Sequence, residues 1–193
     1  MKSEPRLLLA LLLGLAGCNE GGIVGTGTGD DPATPVVAAD TTAPPREAGT
    51  TAADQQAICA ALPPALAGDV AGSPITTAAD WQPVSDTAFH CQWRAPASIG
   101  ESIVTIRFDT DPAAIDGLGR GDYIGPDATI TGNGYRLHDP AGCRFGIAVP
   151  VASRLLVSVT SENRAACHSG ISTPPTTTAL NRLAAAAIAA AGP

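Results

Sequence analysis

Five cysteines and three histidines are the residues best suited to chemistry in this chain of 193 residues. Four of the cysteines, Cys59, Cys91, Cys143 and Cys167, lie in the C-terminal part. Zinc needs thiolates and imidazoles within coordination distance in a closed tetrahedral shell. His138, Cys143, Cys167 and His168 supply both ligand types near the end of one hairpin, but no Cys-x2-Cys spacing accompanies them. In an oxidising compartment an even number of thiols pairs as disulfides instead. Disulfides are therefore the leading reading, with a zinc-binding protein or an envelope enzyme as the alternative.

Other patterns carry less. Asp109-Thr110-Asp111 followed by Asp116 begins like a calcium loop. Such a loop wants Gly at its sixth position and Glu at its twelfth, and Ala114 and Arg120 stand there. The segment reads as a solvated acidic loop. Arg120-Gly121-Asp122 spells an adhesion tripeptide, but a tripeptide recurs by chance, so it too reads as loop. Gly25-Thr26-Gly27-Thr28-Gly29 lacks the preceding strand and the following Gly-Lys-Ser/Thr of a phosphate loop. There is no Gly-x-Ser-x-Gly elbow. His90 falls on a polar strand face, His138 precedes Asp139-Pro140, and His168 follows Cys167. No catalytic residue, metal site or cofactor is assigned.

The elements that must position these residues lie in residues 54–193. Asp54 suits the start of a helix over residues 55–62, which Pro63-Pro64 interrupts, with a short turn following. Phe89, Cys91 and Trp93 alternate with His90, Gln92 and Arg94, the period-two pattern of a half-buried strand. Residues 102–108 form a second, β-branched strand. Residues 109–127 read as loop with a helical turn near 112–115, and residues 128–131 and 135–137 as a hairpin about Asn133-Gly134. Residues 143–151 and 154–160 make the clearest pair: Phe145, Ile147 and Val149 meet Leu155, Val157 and Val159. Leu180, Leu183, Ala184, Ala187, Ile188 and Ala191 fall on one face of a closing helix capped by Thr177 or Thr178. The expected fold is α+β: a mainly antiparallel sheet flanked by an N-terminal and a C-terminal helix, its more polar face exposed.

This layout chooses among the three possible disulfide connectivities. A turn centred between residues 152 and 153 sets residue 143 opposite 162, and Cys167 lies where the chain folds back over the strand end. Cys143–Cys167 is the natural pair. Cys59–Cys91 remains, tying the first helix to the first strand. Each closed loop stabilises by ~3 kcal/mol in the chain-entropy model.

The N-terminal third has a different character. Lys2 and Arg6 precede an unbroken run of apolar and small residues over 7–17, too short to span a bilayer and suited to the core of a signal peptide. Residues 19–53 hold no aromatic, many Gly, Thr and Pro, and five acids against Arg46. Such a segment buries too little apolar surface to order itself. As a flexible tether it would have a root-mean-square span of ~30–35 Å. Without residues 1–17 the chain carries 17 acids and nine Arg, a net charge of −8, shared equally between tether and domain. That balance argues against nucleic-acid binding, which rests on Lys and Arg neutralising phosphates.

Two resemblances add to this reading. The tetrapeptide Leu15-Ala16-Gly17-Cys18 resembles the bacterial lipobox. It implies that residues 1–17 are removed and that Cys18 carries acyl chains, each buried CH₂ contributing ~0.8 kcal/mol to anchoring. The order of Cys59, Cys91-Gln92-Trp93, Cys143, Cys167 and an Ala-rich closing helix resembles a family of mainly actinobacterial lipoproteins of unknown function. The resemblance covers about residues 54–191 and implies architecture only. The resulting expectation is a signal peptide (1–17), a lipidated Cys18 with its linker (18–53) and a disulfide-stabilised domain (54–193). Such a chain would be an accessory or binding module held in the cell envelope and facing the periplasm or exterior. Its partners would be membrane lipid, through Cys18, and an envelope protein or small ligand met by the exposed sheet face or by residues 109–123. Trp81 and Tyr123, in loop-like sequence, are candidate contacts for it, with core packing as the alternative role for each.

Overall fold

A computed structural model describes residues 51–152 and 154–192. Cys18, the signal segment and nearly all of the linker lie outside the described residues. Helix α1 (Ala52–Ala61) starts at a capping box in which Thr51 is the N-cap and Asp54 the reciprocal partner, three residues inside the helix. This displaces the expected start, because the Thr51 hydroxyl accepts from the Asp54 N–H and frees Asp54 to bond back. Pro63-Pro64 ends α1 and opens α2 (Pro64–Ala71), which closes on Gly72 in the left-handed region.

Among the described residues seven strands form one antiparallel sheet in the order β1-β2-β3-β7-β6-β5-β4. The strands are β1 (Asp80–Ser85), β2 (Ala88–Pro96), β3 (Glu101–Asp109), β4 (Tyr123–Ile124), β5 (Tyr135–Leu137), β6 (Arg144–Val151) and β7 (Leu155–Glu162). Two meanders are thus joined edge to edge where β3 pairs with β7. Helix α3 (Pro112–Asp116) lies in the connection between them, α4 (Arg164–His168) follows β7, and α5 (Thr177–Ala191) closes the chain.

The period-two patterns decide which face is buried. Phe89, Cys91, Trp93 and Ala95 of β2 join Val104, Ile106 and Phe108 of β3, Ile147 and Val149 of β6, and Val157 and Val159 of β7 in one core. Phe89 and Phe108 stack across the ladder with ring centroids 4.7 Å apart. Leu62, Ala67 and Val70 of the first two helices and Leu180, Leu183, Ala184 and Ala187 of α5 cover this face. The small side chains let α5 lie close to the sheet.

Three further details differ from the sequence reading. The β6–β7 pairing runs Arg144↔Glu162 to Val151↔Leu155, so the connection has three residues and the register is one residue off the expected one. Only this register sets Ile147 opposite Val159 and Val149 opposite Val157. Residues 128–131 form no strand: β5 pairs with β4 instead, across a longer connection that contains a cis Gly125-Pro126 bond. In that connection the Asp127 carboxylate binds the Thr129 N–H and hydroxyl, an Asx-type turn that competes with strand pairing. Finally, Thr176 rather than Thr177 or Thr178 caps α5, its hydroxyl accepting from the Ala179 N–H.

Candidate ligand-binding cleft

Both expected disulfides are present. Cys59–Cys91 ties α1 to β2 within the core, both cysteines being buried. Cys143–Cys167 joins the start of β6 to α4. The Asp139 carboxylate prepares it by accepting the N–H groups of Cys143 and Arg144 at 2.9 and 2.7 Å. Those bonds, led by the one from Arg144, hold the Asp139 carboxyl below its ordinary pKa. The bridge consumes two of the four zinc donors, leaving His138 and His168 exposed without the thiolates. Among the described residues no group of three or more His, Cys, Asp or Glu is placed to hold a metal.

The helices cover one face of the sheet; the other carries the outward phase of the strands. There His90 and Gln92 of β2, Thr105 and Arg107 of β3, and Ser158 and Thr160 of β7 floor a cleft of about 540 Å³. Residues of α3 and the loop after it, with Leu118 and Tyr123, rise over one side. The register places neighbours in rows: His90 beside Arg107 and Arg107 beside Ser158, then Gln92 beside Thr105 and Thr105 beside Thr160. The Gln92 amide donates to the Thr105 hydroxyl at 3.2 Å.

One ion pair organises the floor. The Asp109 carboxylate, 3% exposed, accepts from Nε and Nη2 of Arg107 at 3.1 and 2.5 Å through a single oxygen. Its other oxygen accepts the Asp111 N–H at 3.0 Å. Asp111 in turn caps α3, accepting the Ala113 N–H at 2.9 Å. The acidic stretch 109–111 is therefore used to hold Arg107 and start α3, which accounts for two of the carboxylates in the calcium-like pattern.

Tyr123 stands in the cleft wall on β4. Burial pushes its phenol above the ordinary value, against the opposing effect of the Ser158 hydroxyl and the Arg144 and Arg107 guanidiniums. His90 is held below its ordinary value, mainly by desolvation and then by Arg107, so it is neutral at neutral pH. Trp81 belongs elsewhere: it lies on β1, packs against the core, and its indole N–H donates to Gln55 of α1 at 3.3 Å. Arg120-Gly121-Asp122 is exposed on the loop before β4.

The exposed sheet face and residues 109–123, expected as alternative ligand surfaces, line one cleft, since α3 and its loop fold against that face. Of the floor residues, His90 and Gln92 stand out in the sequence on the polar phase of their strand, whereas Thr105, Arg107, Ser158 and Thr160 do not. Their signal is the alternate phase of three strands already legible by period.

The fold and the cleft together define an α+β domain with a one-sided antiparallel sheet and two disulfides. No family model matches the chain, and neither a curated protein nor a solved structure matches it.

Proposed function

We propose that this chain is a lipid-anchored accessory domain of the bacterial cell envelope that binds a small ligand or a partner protein through the polar face of its sheet. The observation that carries the binding half is the one-sided covering of the sheet. Solvated polar faces are common on antiparallel sheets. Here α3 and Tyr123 make the face concave, and its Arg107 is held in place by a buried carboxylate. A small number of positioned polar groups beside apolar walls is what ligand clefts share. The anchoring half is supported by the run over residues 7–17 ending in Leu15-Ala16-Gly17-Cys18, and the two disulfides fit an oxidising compartment.

Intact-mass spectrometry of the chain extracted from membranes of its host tests the anchor. The expected mass lacks residues 1–17 and carries acyl chains on Cys18; an unmodified Cys18 thiol contradicts it. Capture from envelope extract, comparing the natural chain with Thr160→Trp, which fills the cleft, tests the binding face. The expected result is a bound species that the variant fails to hold.

A further inference from the structure

We infer that the cleft takes a small amphipathic carboxylate, its acid group on Arg107, its apolar part against Leu118, Leu156 and Tyr123, and Arg144 adding positive charge from the far side of β7. This rests on the cleft being the binding surface and names the chemistry that it fits. The cleft is lined by three arginines and two acids, on a domain whose own net charge is −4. Both acids are committed: Asp109 to Arg107, and Glu162 to Arg164. No acid of the cleft is left to hold a cation.

The arginines are not committed to the same extent. Arg107 gives Asp109 only two of its five N–H donors, and its side chain stays 42% exposed. The buried partner fixes the plane of the guanidinium and leaves an outer edge with the fork geometry that suits a carboxylate. The Arg144 guanidinium makes no hydrogen bond or ion pair among the described residues and acts at longer range on Asp139 and Tyr123. Arg107 and Arg144 line the cleft from opposite sides of β7, Arg107 beside Ser158 and Arg144 beside Glu162 four residues further along.

The remaining walls define the rest of the ligand. A bare inorganic anion needs only a fraction of about 540 Å³. Leu118 and Leu156 add apolar surface next to the hydroxyls of Thr105, Ser158 and Thr160. One charged end and one apolar body therefore match the cleft better than a uniformly polar molecule.

The test is a titration of the full chain carrying Cys18→Ser, which keeps it unacylated, followed by amide NMR. The probes are 4-phenylbutyrate, its neutral analogue 4-phenylbutanol and phenyl phosphate. Phenylbutyrate is expected to shift amides of β2, β3 and β7 that line the cleft and to bind about tenfold or more tightly than the alcohol. Arg107→Gln should weaken it about tenfold. Because that change strands a buried carboxylate, Arg144→Gln is the companion variant, expected to weaken binding about threefold with an unchanged spectrum elsewhere. Equal binding of the alcohol, tighter binding of the phosphate, or unchanged affinity in both variants overturns the carboxylate assignment while leaving the binding face intact. No cleft shift with any probe at millimolar concentration also overturns it, and the separate Thr160→Trp capture comparison then decides whether the face binds anything.

Discussion

Arg107 and Asp109 stand two residues apart on the same face of β3, joined through one carboxylate oxygen that takes both Nε and Nη2 of the guanidinium. The carboxylate is buried, whereas the guanidinium reaches the cleft. Asp109 thus acts on the surface only through Arg107 and through the start of α3. Asp109→Asn should destabilise the domain by about 1–3 kcal/mol, less than a fully buried pair because Arg107 is partly solvated. Urea denaturation measures this. A change under a few tenths of a kcal/mol would show that the pair is ornamental to the fold.

The acid side of the stability profile has two parts. His90 has a folded pKa below its ordinary 6.5. The unfolded chain therefore binds the proton more readily, and stability falls as pH drops through 6.5 toward the folded value. His90→Gln should flatten that region when unfolding is followed between neutral and mildly acid pH. Asp127 and Asp139 have folded values below 3.8, from their turn hydrogen bonds. Their contribution is present above 3.8 and is lost as pH falls through the lower folded values.

The two disulfides should differ in consequence. Their sequence separations of 32 and 24 residues give similar chain-entropy terms, about 3.5 kcal/mol each. Cys59 and Cys91 are almost fully buried, so Cys59→Ser with Cys91→Ser also sets two hydroxyls in the core. Cys143→Ser with Cys167→Ser acts at the end of the sheet. The first pair should lower the melting temperature more than the second, and equal losses by calorimetry would contradict this.

Gly146 lies on β6 opposite Thr160, where an added Cβ would run into the Val159 carbonyl and the Thr160 side chain. Gly146→Ala should cost about 1–3 kcal/mol through forced movement of β6 against β7. An unchanged denaturation midpoint would show that the two strands separate there without strain.

The strands β2, β3, β6 and β7 are legible in the sequence because each keeps a period-two pattern with one apolar phase. The helices are legible from Leu and Ala spacing and from Pro63-Pro64. Strand β1 is not, since its outer-edge residues, apart from half-buried Trp81, are exposed, so no alternation records the pairing, and Pro83 argues against a strand. Nor is β4, two residues long, whose partner lies across a ten-residue connection. Asn133-Gly134 looks like a tight turn, but Asn133 ends a short 3-10 helix (Thr131–Asn133) whose first residue donates its N–H to the Asn181 side chain of α5. That tertiary contact leaves no local mark. The cleft was half legible: the polar phase of the strands marks the face, but only the fold shows that Tyr123 and α3 close over it and that Asp109 holds Arg107.

Capture from envelope extract distinguishes a binding face from one that is merely solvated. The natural chain and its Thr160→Trp variant, matched for melting temperature and both disulfides, are each equilibrated with envelope extract and their bound species identified by mass spectrometry. The expected result is a species held by the natural chain and lost from the variant. The same species on both chains would contradict a binding role for this face of the sheet.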